Sequence, residues 1–365
     1  VKQEERCAGS RIGLIGPLPP PYGGVSVHIR RLGQRLAASG HCVTIYCQPT
    51  AESVDGCRVR PAAGRLSWRR WLLRYGWRDC SRVLHCHDGW HWSPALLLHA
   101  LLGKRIVMTF HDQQTLLKFQ EASRASRFAA CLLFRLGRAR YVAVSDRVAE
   151  QLVEIGAPRA HVVVQPAFIP PVLENRMPRD LPPFVSGFCT AHDPMLVTYG
   201  WRLATDSMGR DLYGFDLSLR ALAAVREYHP ETGLVLLIPL MDDDSQMRRL
   251  VDLALELDIA EAVLFVNSPI RHVGVLWSAC DIVLRPSTSD GDAVSVREAL
   301  YVGTRVVASD AATRPEGVAV HQTGSLVSLV AVLRRVLADR RSVGHSAAEG
   351  EMVDPIDLLL ESYGV

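Results

Sequence analysis

The chain has 365 residues, 48% of them hydrophobic, with 41 Lys+Arg against 38 Asp+Glu. That length exceeds one ordinary domain and suits two, and the apolar content excludes a disordered chain. The longest apolar run, Pro94 to Gly103, is too short to cross a bilayer and is broken by His99. The N-terminal stretch VKQEERCAGS lacks the apolar core of a signal peptide. Nine cysteines occur without any C-x-x-C. They read as reduced core thiols of a cytoplasmic protein rather than a disulfide frame. Charge is unevenly placed: residues 1–170 carry 24 Lys+Arg against 11 Asp+Glu, a net of +13, whereas residues 171–365 carry 17 against 27. Such asymmetry points the first half toward an anionic partner.

In chain order, Arg11–Gly16 reads as a short apolar strand. A Pro/Gly loop and a helical segment, Val25–Ser39, follow it. Further strands are expected at Cys42–Cys47, Val83–Cys86, Arg105–Thr109, Tyr141–Val144 and Val162–Gln165, with helical patterns between them. Strands alternating with helices imply a parallel sheet covered on both faces. A Pro-rich stretch, Pro166–Pro194, reads as a linker. The rhythm resumes with strands at Met195–Tyr199, Leu234–Ile238, Val263–Val266, Ile282–Leu284 and Arg305–Ala308. The expected fold is α/β, two doubly wound Rossmann-like domains over residues 1–170 and 171–345 that face a central cleft. Residues 346–365 form a terminal segment crossing back to the first domain. Within it, Pro355–Tyr363 has the pattern of an amphipathic helix.

Chemistry concentrates in Arg285-Pro-Ser-Thr-Ser-Asp290-Gly291-Asp292-Ala293-Val294-Ser-Val-Arg-Glu298. A strand ends near Leu284, and a helix begins near Ala293. Ligands of open α/β sheets bind beyond the carboxyl ends of strands, and a helix N-terminus offers N–H groups and a positive dipole end to an anion. Asp290 before the helix and Glu298 inside it flank a phosphate-sized gap, each able to accept from a diol. The plainer alternative is that Asp290 and Asp292 cap the helix and Glu298 is a solvated acid.

This segment resembles the E-x7-E signature of the retaining glycosyltransferases of family 4, which have the GT-B fold. The run Tyr301-Val-Gly303-Thr-Arg-Val-Val-Ala-Ser309-Asp310…Arg314-Pro315-Glu316 resembles the G-T-P-V-V-A-S-D…P-E run that follows it there. The resemblance implies that Asp290 contacts the donor sugar and Glu298 the ribose, with Asp in place of the usual first Glu and Asp292-Ala293 in place of an aromatic-glycine pair. Gly16-Pro-Leu-Pro-Pro-Pro-Tyr22-Gly23-Gly24 looks like the first strand and glycine loop of these enzymes, where Gly23 and Gly24 let backbone N–H groups come close to a ligand. Thr109-Phe-His111 resembles the T-x-H step, which implies that His111 lies beside the donor sugar; the residues alone equally suit a structural histidine. Ala143-Val-Ser145 is similar to the V-S step, and Gln165-Pro166-Ala167 replaces the usual P-N-G-V. Gly200-Trp-Arg202 resembles the G-R step, whose Arg neutralises the donor diphosphate. The family's Lys-Gly pair is here Tyr213-Gly214, so Arg285 or Arg210 is expected to replace that Lys. A G-x-G loop near the nucleotide base is replaced by Ile238-Pro-Leu-Met241.

Two further groups stand apart. His85-Cys86-His87-Asp88 with His91 has metal-ligand residue types, but successive strand residues point to opposite faces, so these residues do not converge on one ion. No metal site and no cofactor are expected. Arg65–Arg78 interleaves Arg with Trp68, Trp71, Tyr75 and Trp77, the composition of an interfacial membrane segment or of a surface helix burying Trp71 and Leu72. Nothing resembles a nucleic-acid-binding motif.

The resemblance thus implies a retaining transferase, and no metal is expected. His111, Arg202 and Asp290 act at the reacting centre. Gly23, Gly24, Arg202, Arg285, Asp290, Gly291, Asp292, Ala293, Val294 and Glu298 bind a nucleotide-sugar donor. The acceptor is a glycan or a polyprenyl-diphosphate-linked sugar, and the enzyme is cytoplasmic, peripheral on an anionic membrane face. The alternatives are a nucleotide-sugar isomerase of similar fold and a non-catalytic sugar-nucleotide-binding descendant.

Overall fold

A computed structural model of the chain describes residues 9–20, 22–61, 81–87, 89–111, 114–170, 181–240, 244–270, 273–339 and 355–364. The Arg65–Arg78 segment, Asp88 and Asp112 lie outside the described residues. The chain divides into two compact units, Val1–Pro171 with Glu351–Val365, and Val172–Gly350.

The first unit is built on a seven-stranded parallel sheet. Its strands are β1 (Arg11–Ile15), β2 (Cys42–Cys47), β3 (Cys57–Pro61), β4 (Val83–His87), β5 (Arg105–Phe110), β6 (Ala139–Ala143) and β7 (Val162–Val164). Their spatial order is β3-β2-β1-β4-β5-β6-β7. The central strands are apolar on both faces because helices cover both, the condition that makes a parallel strand read as a continuous apolar run. Helices α1 (Gly24–Ala38), α2 (Ser93–Leu101), α3 (Thr115–Glu121), α4 (Arg124–Leu136) and α5 (Asp146–Ile155) supply the covering layers. On α1, Ile29, Leu32 and Leu36 recur at helical spacing and are fully buried against Ile12, Leu14, Val43 and Ile45. Ser123 starts α4, its hydroxyl accepting from the Ser126 N–H at 3.2 Å. Gly156 ends α5 in the left-handed conformation with φ 113°.

The second unit carries a six-stranded parallel sheet of β8 (Met195–Tyr199), β9 (Gly233–Leu237), β10 (Val263–Val266), β11 (Ile282–Arg285), β12 (Arg305–Ser309) and β13 (Val318–His321). The order is β10-β9-β8-β11-β12-β13. Side chains alternate between two cores. Met195, Val197, Val235, Leu237 and Val283 enter one, and Leu196, Leu234, Leu236, Ile282 and Leu284 enter the other, as the two-residue period of a strand requires. Helices α6 (Pro183–Ala191), α7 (Phe215–Arg226), α8 (Asp244–Glu256), α9 (Val273–Ser278), α10 (Val294–Tyr301) and α11 (Leu326–Ala338) belong to this unit.

Helix α12 (Pro355–Tyr363) belongs to the first unit. Leu359 and Tyr363, each 1% exposed, join the core between the sheet and α1. The Tyr363 hydroxyl lies 2.6 Å from His85 Nδ1, and Arg105 donates to the Tyr363 carbonyl. Cys47, Cys57, Cys86, Cys131, Cys189 and Cys280 are free thiols. Cys42 departs from the expectation of reduced cysteines, since it is disulfide-bonded.

Strand order reverses between β1 and β4 in the first unit and between β8 and β11 in the second. At such a switch point the two loops leaving the carboxyl ends run in opposite directions and open a crevice. Both groups of chemistry-bearing residues sit at these two places.

Candidate active site

In the second unit, β11 ends at Arg285 and the chain turns through a buried loop before α10. The Asp290 carboxylate is only 8% exposed. Its Oδ2 accepts from Arg285 Nε at 3.0 Å, from Arg314 Nη1 at 3.0 Å and from the Ser287 hydroxyl at 3.2 Å, and its Oδ1 accepts from Arg285 Nη2 at 3.1 Å. Burial alone would raise its pKa, but the charges and hydrogen bonds of Arg285 and then Arg314 outweigh burial and hold it at about 2. Three of these four donors converge on Oδ2 and one on Oδ1.

Asp290 is thus engaged by Arg285, Arg314 and Ser287 within its own unit. It orients two guanidiniums. Arg285 is equally committed: its Nη1 donates to the Tyr199 carbonyl at 2.9 Å, tying the end of β11 to the end of β8. Its guanidinium carbon lies 4.9 Å from the centre of the Tyr213 ring, a cation–π contact. Arg285 is thus held in place, and Tyr213, in the position of the missing Lys, packs on it. A Cβ on Gly214 would collide with the Pro286 carbonyl, and Gly214 has φ 72°, so the 213–214 turn is pressed against this loop and needs glycine. Arg210 lies elsewhere in its own turn, ion-paired to Asp206 at 2.7 Å.

Arg314 was not assigned a role from sequence. It donates to Asp290 and, through Nε, to the Ser309 carbonyl at 2.8 Å. Two guanidiniums against one carboxylate leave this buried cluster formally positive at the carboxyl end of β11. The N-cap of α10 is Ala293, whose side chain offers no capping hydrogen bond. Asp292 instead accepts from Arg297 Nε at 2.7 Å. Gly291 and Val294, half-buried, flank this turn. Glu298, on the second turn of α10, is 6% exposed, and its Oε2 accepts from the fully buried Trp277 indole at 3.1 Å. Arg202, just past β8, is exposed, its guanidinium carbon 4.8 Å from the centre of the Trp201 ring. A β-bridge from Arg202 to Leu240 fixes this segment beside the end of β9.

In the first unit, α1 starts at Gly24 after an N-cap Gly23 in extended conformation. Ser26 closes that turn, accepting from the Gly23 N–H at 3.0 Å and donating to the Gly23 carbonyl at 2.9 Å. A Cβ on Gly23 would meet no described atom within 4 Å, so there is room for a ligand beside it. His111 follows β5, half-buried, with Nε2 at 3.1 Å from His87 Nδ1 at the end of β4. The His28 ring, on α1, is centred 4.9 Å from His111 and 5.2 Å from His87. His85 stacks on His87 with ring centres 4.2 Å apart, and its Nε2 is 2.6 Å from the Thr109 hydroxyl. Burial, then the neighbouring histidines, hold His85 and His87 well below the usual imidazole range. Burial first and His111 second lower His28 to about 3.

Beyond the chain neighbours of His87, α1, β4 and β5 bring His28, His87 and His111 together, with one ring nitrogen of each within 4.8 Å of the others.

Residues 22–172 match the family model described as Glycosyltransferase Family 4, and residues 207–332 match the model described as Glycosyl transferases group 1. No curated protein matches the chain. Among solved structures, sucrose-phosphate synthase from Thermosynechococcus elongatus is 19% identical, with a TM-score of 0.67 over 97% of this chain and 96% of that one. WaaG, a glycosyltransferase involved in lipopolysaccharide biosynthesis, is 17% identical, with a TM-score of 0.69 over 97% and 100% of the two chains. HepE from Anabaena, solved in complex with UDP and glucose, is 13% identical, with a TM-score of 0.65 over 97% and 96%.

Proposed function

We infer that this chain, a glycosyltransferase of the GT-B fold, moves a sugar from a nucleotide-sugar donor to a hydroxyl acceptor with retention of anomeric configuration. The observation that carries the reading is the positive cluster at the β8–β11 switch point, where Arg285 and Arg314 outnumber the Asp290 they share and α10 starts without a side-chain cap. Such a site suits a diphosphate. The UDP complexes of the HepE fold relative support a nucleotide donor, and Glu298 is the carboxylate proposed to hold its ribose.

As the bond from the sugar to the diphosphate breaks, negative charge grows on the leaving oxygen. Arg202 is proposed to meet that charge, with the Arg285–Arg314 cluster and the amides of α10 behind it. The acceptor oxygen bonds to the sugar on the face the diphosphate leaves, and its proton passes to the departing phosphate. His111 contacts the donor sugar. Protein cations supply the charge at the phosphates, so added Mg²⁺ or Mn²⁺ leaves turnover unchanged. Dependence on Mn²⁺ would instead mean that Asp290 and Asp292 hold an ion.

The acceptor is proposed to be a glycan or polyprenyl-diphosphate-linked sugar at an anionic membrane face. No helix among the described residues is long and apolar enough to cross a membrane. The first unit carries its charge excess beside exposed apolar residues: Leu101 is 61% exposed, Leu102 57% and Phe128 67%, on and beside the packed pair α2 and α4, with Arg124, Arg135 and Arg138 also exposed. Apolar residues ringed by cations suit an interfacial contact. Co-sedimentation with phosphatidylglycerol vesicles, lost at high salt and absent with neutral vesicles, is the expected result; equal recovery with both removes the membrane from the proposal.

The reaction is tested by a melting-point panel of UDP-, GDP-, ADP-, CMP- and dTDP-sugars, followed by labelled nucleotide release with and without acceptor. Release that requires acceptor supports transfer. Conversion of the sugar without release points to an isomerase, and binding alone to a non-catalytic descendant.

A further inference from the structure

The first unit holds a second arrangement of functional groups that the transfer reaction does not use as a set. His28 comes from α1, His87 from the end of β4 and His111 from the residue after β5. One ring nitrogen of each lies within 4.8 Å of the other two. We propose that these three imidazoles form a binding site for a borderline transition-metal ion of the Zn²⁺ class.

The hydrogen bonds already prepare the ligands. His28 Nδ1 lies 2.6 Å from the Ala167 carbonyl. A carbonyl accepts only, so the proton sits on Nδ1 and Nε2 presents its lone pair. That Nε2 is buried and has no hydrogen-bond partner, and His28 as a whole is 4% exposed. A metal-bound histidine typically donates its other ring N–H to a carbonyl in this way, which fixes both tautomer and ring orientation. His87 is 2% exposed, and its Nδ1 faces His111. Its ring is held by the stacked His85, which is itself locked between the Thr109 and Tyr363 hydroxyls.

The spacing is close to what an ion needs. Zinc–nitrogen bonds of about 2.0–2.1 Å at tetrahedral angles set ligand nitrogens about 3.4 Å apart. His87 Nδ1 and His111 Nε2 are 3.1 Å apart. For both to ligate, the proton between them moves to the other nitrogen of its own ring, so three neutral imidazoles meet the ion. His111 is half-buried.

Donor chemistry selects the ion. Three imidazole nitrogens suit Zn²⁺, Co²⁺, Ni²⁺ or Cu²⁺, whereas Mg²⁺ and Ca²⁺ prefer oxygen. The site is assembled within the first unit and does not depend on the phosphate-binding loop, although it shares His111 with the proposed transfer reaction.

The test is calorimetric titration of untagged, chelator-stripped protein with Zn²⁺, followed by Co²⁺ substitution read as visible d–d absorption. Wild-type protein is expected to take up one equivalent of Zn²⁺ and to give the intense bands of low-coordinate Co²⁺. His28→Gln and His111→Gln should each weaken binding by at least about tenfold, with His192→Gln, outside the trio, binding as wild type. Melting curves establish that each variant is folded, and His111→Gln, altering a half-buried residue, provides the arm least dependent on core packing. No saturable binding to wild type, a Co²⁺ spectrum of the hexa-aqua ion, or equal affinity in both folded variants overturns the proposal. These readouts need no sugar transfer, so they separate failure of the metal site from failure of the proposed reaction.

Discussion

The two units place their chemistry at the same topological position and fill it with opposite kinds of side chain. The second unit closes its β8–β11 switch point with permanent charge: Arg285 and Arg314 converge on Asp290, which also accepts from Ser287. The first unit lines the carboxyl ends of β4 and β5 with imidazoles, and burial keeps those of His85 and His87 on β4 neutral. A charged cluster suits a charged ligand and depends on every partner being present. A neutral, polar cluster suits hydroxyls or a metal and tolerates loss of one member more easily. The fold explains the position, and the side chains explain the division of labour.

The comparison breaks most sharply at Asp290. Asp290→Asn removes the charge that holds two buried guanidiniums together, and losing one member of a buried ion network costs about 3–5 kcal/mol. Urea denaturation at neutral pH should show a loss of that size. The acid limb gives the sign independently. The folded-state pKa of Asp290, about 2, lies below that of an unfolded Asp. Its contribution is therefore complete above about pH 4 and is lost as pH falls toward 2. In Asp290→Asn that part of the acid dependence should vanish.

A second test separates charge from position. Arg202→Ala should lower turnover by about 10²–10³-fold, the usual consequence of removing one group that stabilises transition-state charge, while leaving stability near wild type because Arg202 is exposed. A rate within a few-fold of wild type would transfer that role to the Arg285–Arg314 cluster. Glu298→Gln should weaken nucleoside-diphosphate affinity by roughly tenfold or more, since a charged hydrogen-bond acceptor for the ribose becomes neutral. Unchanged affinity by calorimetry would make the Trp277 contact the whole of its function. The smallest effect belongs to the first unit. Tyr363→Phe removes the hydroxyl beside His85 Nδ1 and should lower unfolding free energy by about 1–2 kcal/mol, with nucleotide affinity unchanged.

Much of the fold is visible in the strand pattern. Cys42–Cys47, Met195–Tyr199 and Val263–Val266 coincide with β2, β8 and β10, and Pro355–Tyr363 with α12. The strands not expected from sequence, β3 and β13, are both sheet edges. β3 is half exposed, with two arginines and a proline in five residues, so it lacks the apolar run that burial on two faces imposes. The site was legible only where contacts are local. Arg285 and Asp290 share one loop, but the second guanidinium on Asp290, that of Arg314, comes from 24 positions further on. The histidine trio was hidden for the same reason. Residues 28, 87 and 111 are distant in sequence and meet only because β1, β4 and β5 are neighbours in the sheet. A strand's alternation excludes adjacent ligands, as at His85–Asp88, and carries no information about ligands from other strands.

The most direct test of the division between the units is amide hydrogen exchange with and without the nucleoside diphosphate that the melting-point panel selects. The account predicts slowed exchange in peptides covering Gly200–Arg202 and Ser287–Arg297, at the ends of β8 and β11, with peptides covering His85–His87 and Thr109–His111 unchanged. Protection confined to the histidine-bearing strand ends, with the Asp290 loop unaffected, would contradict it.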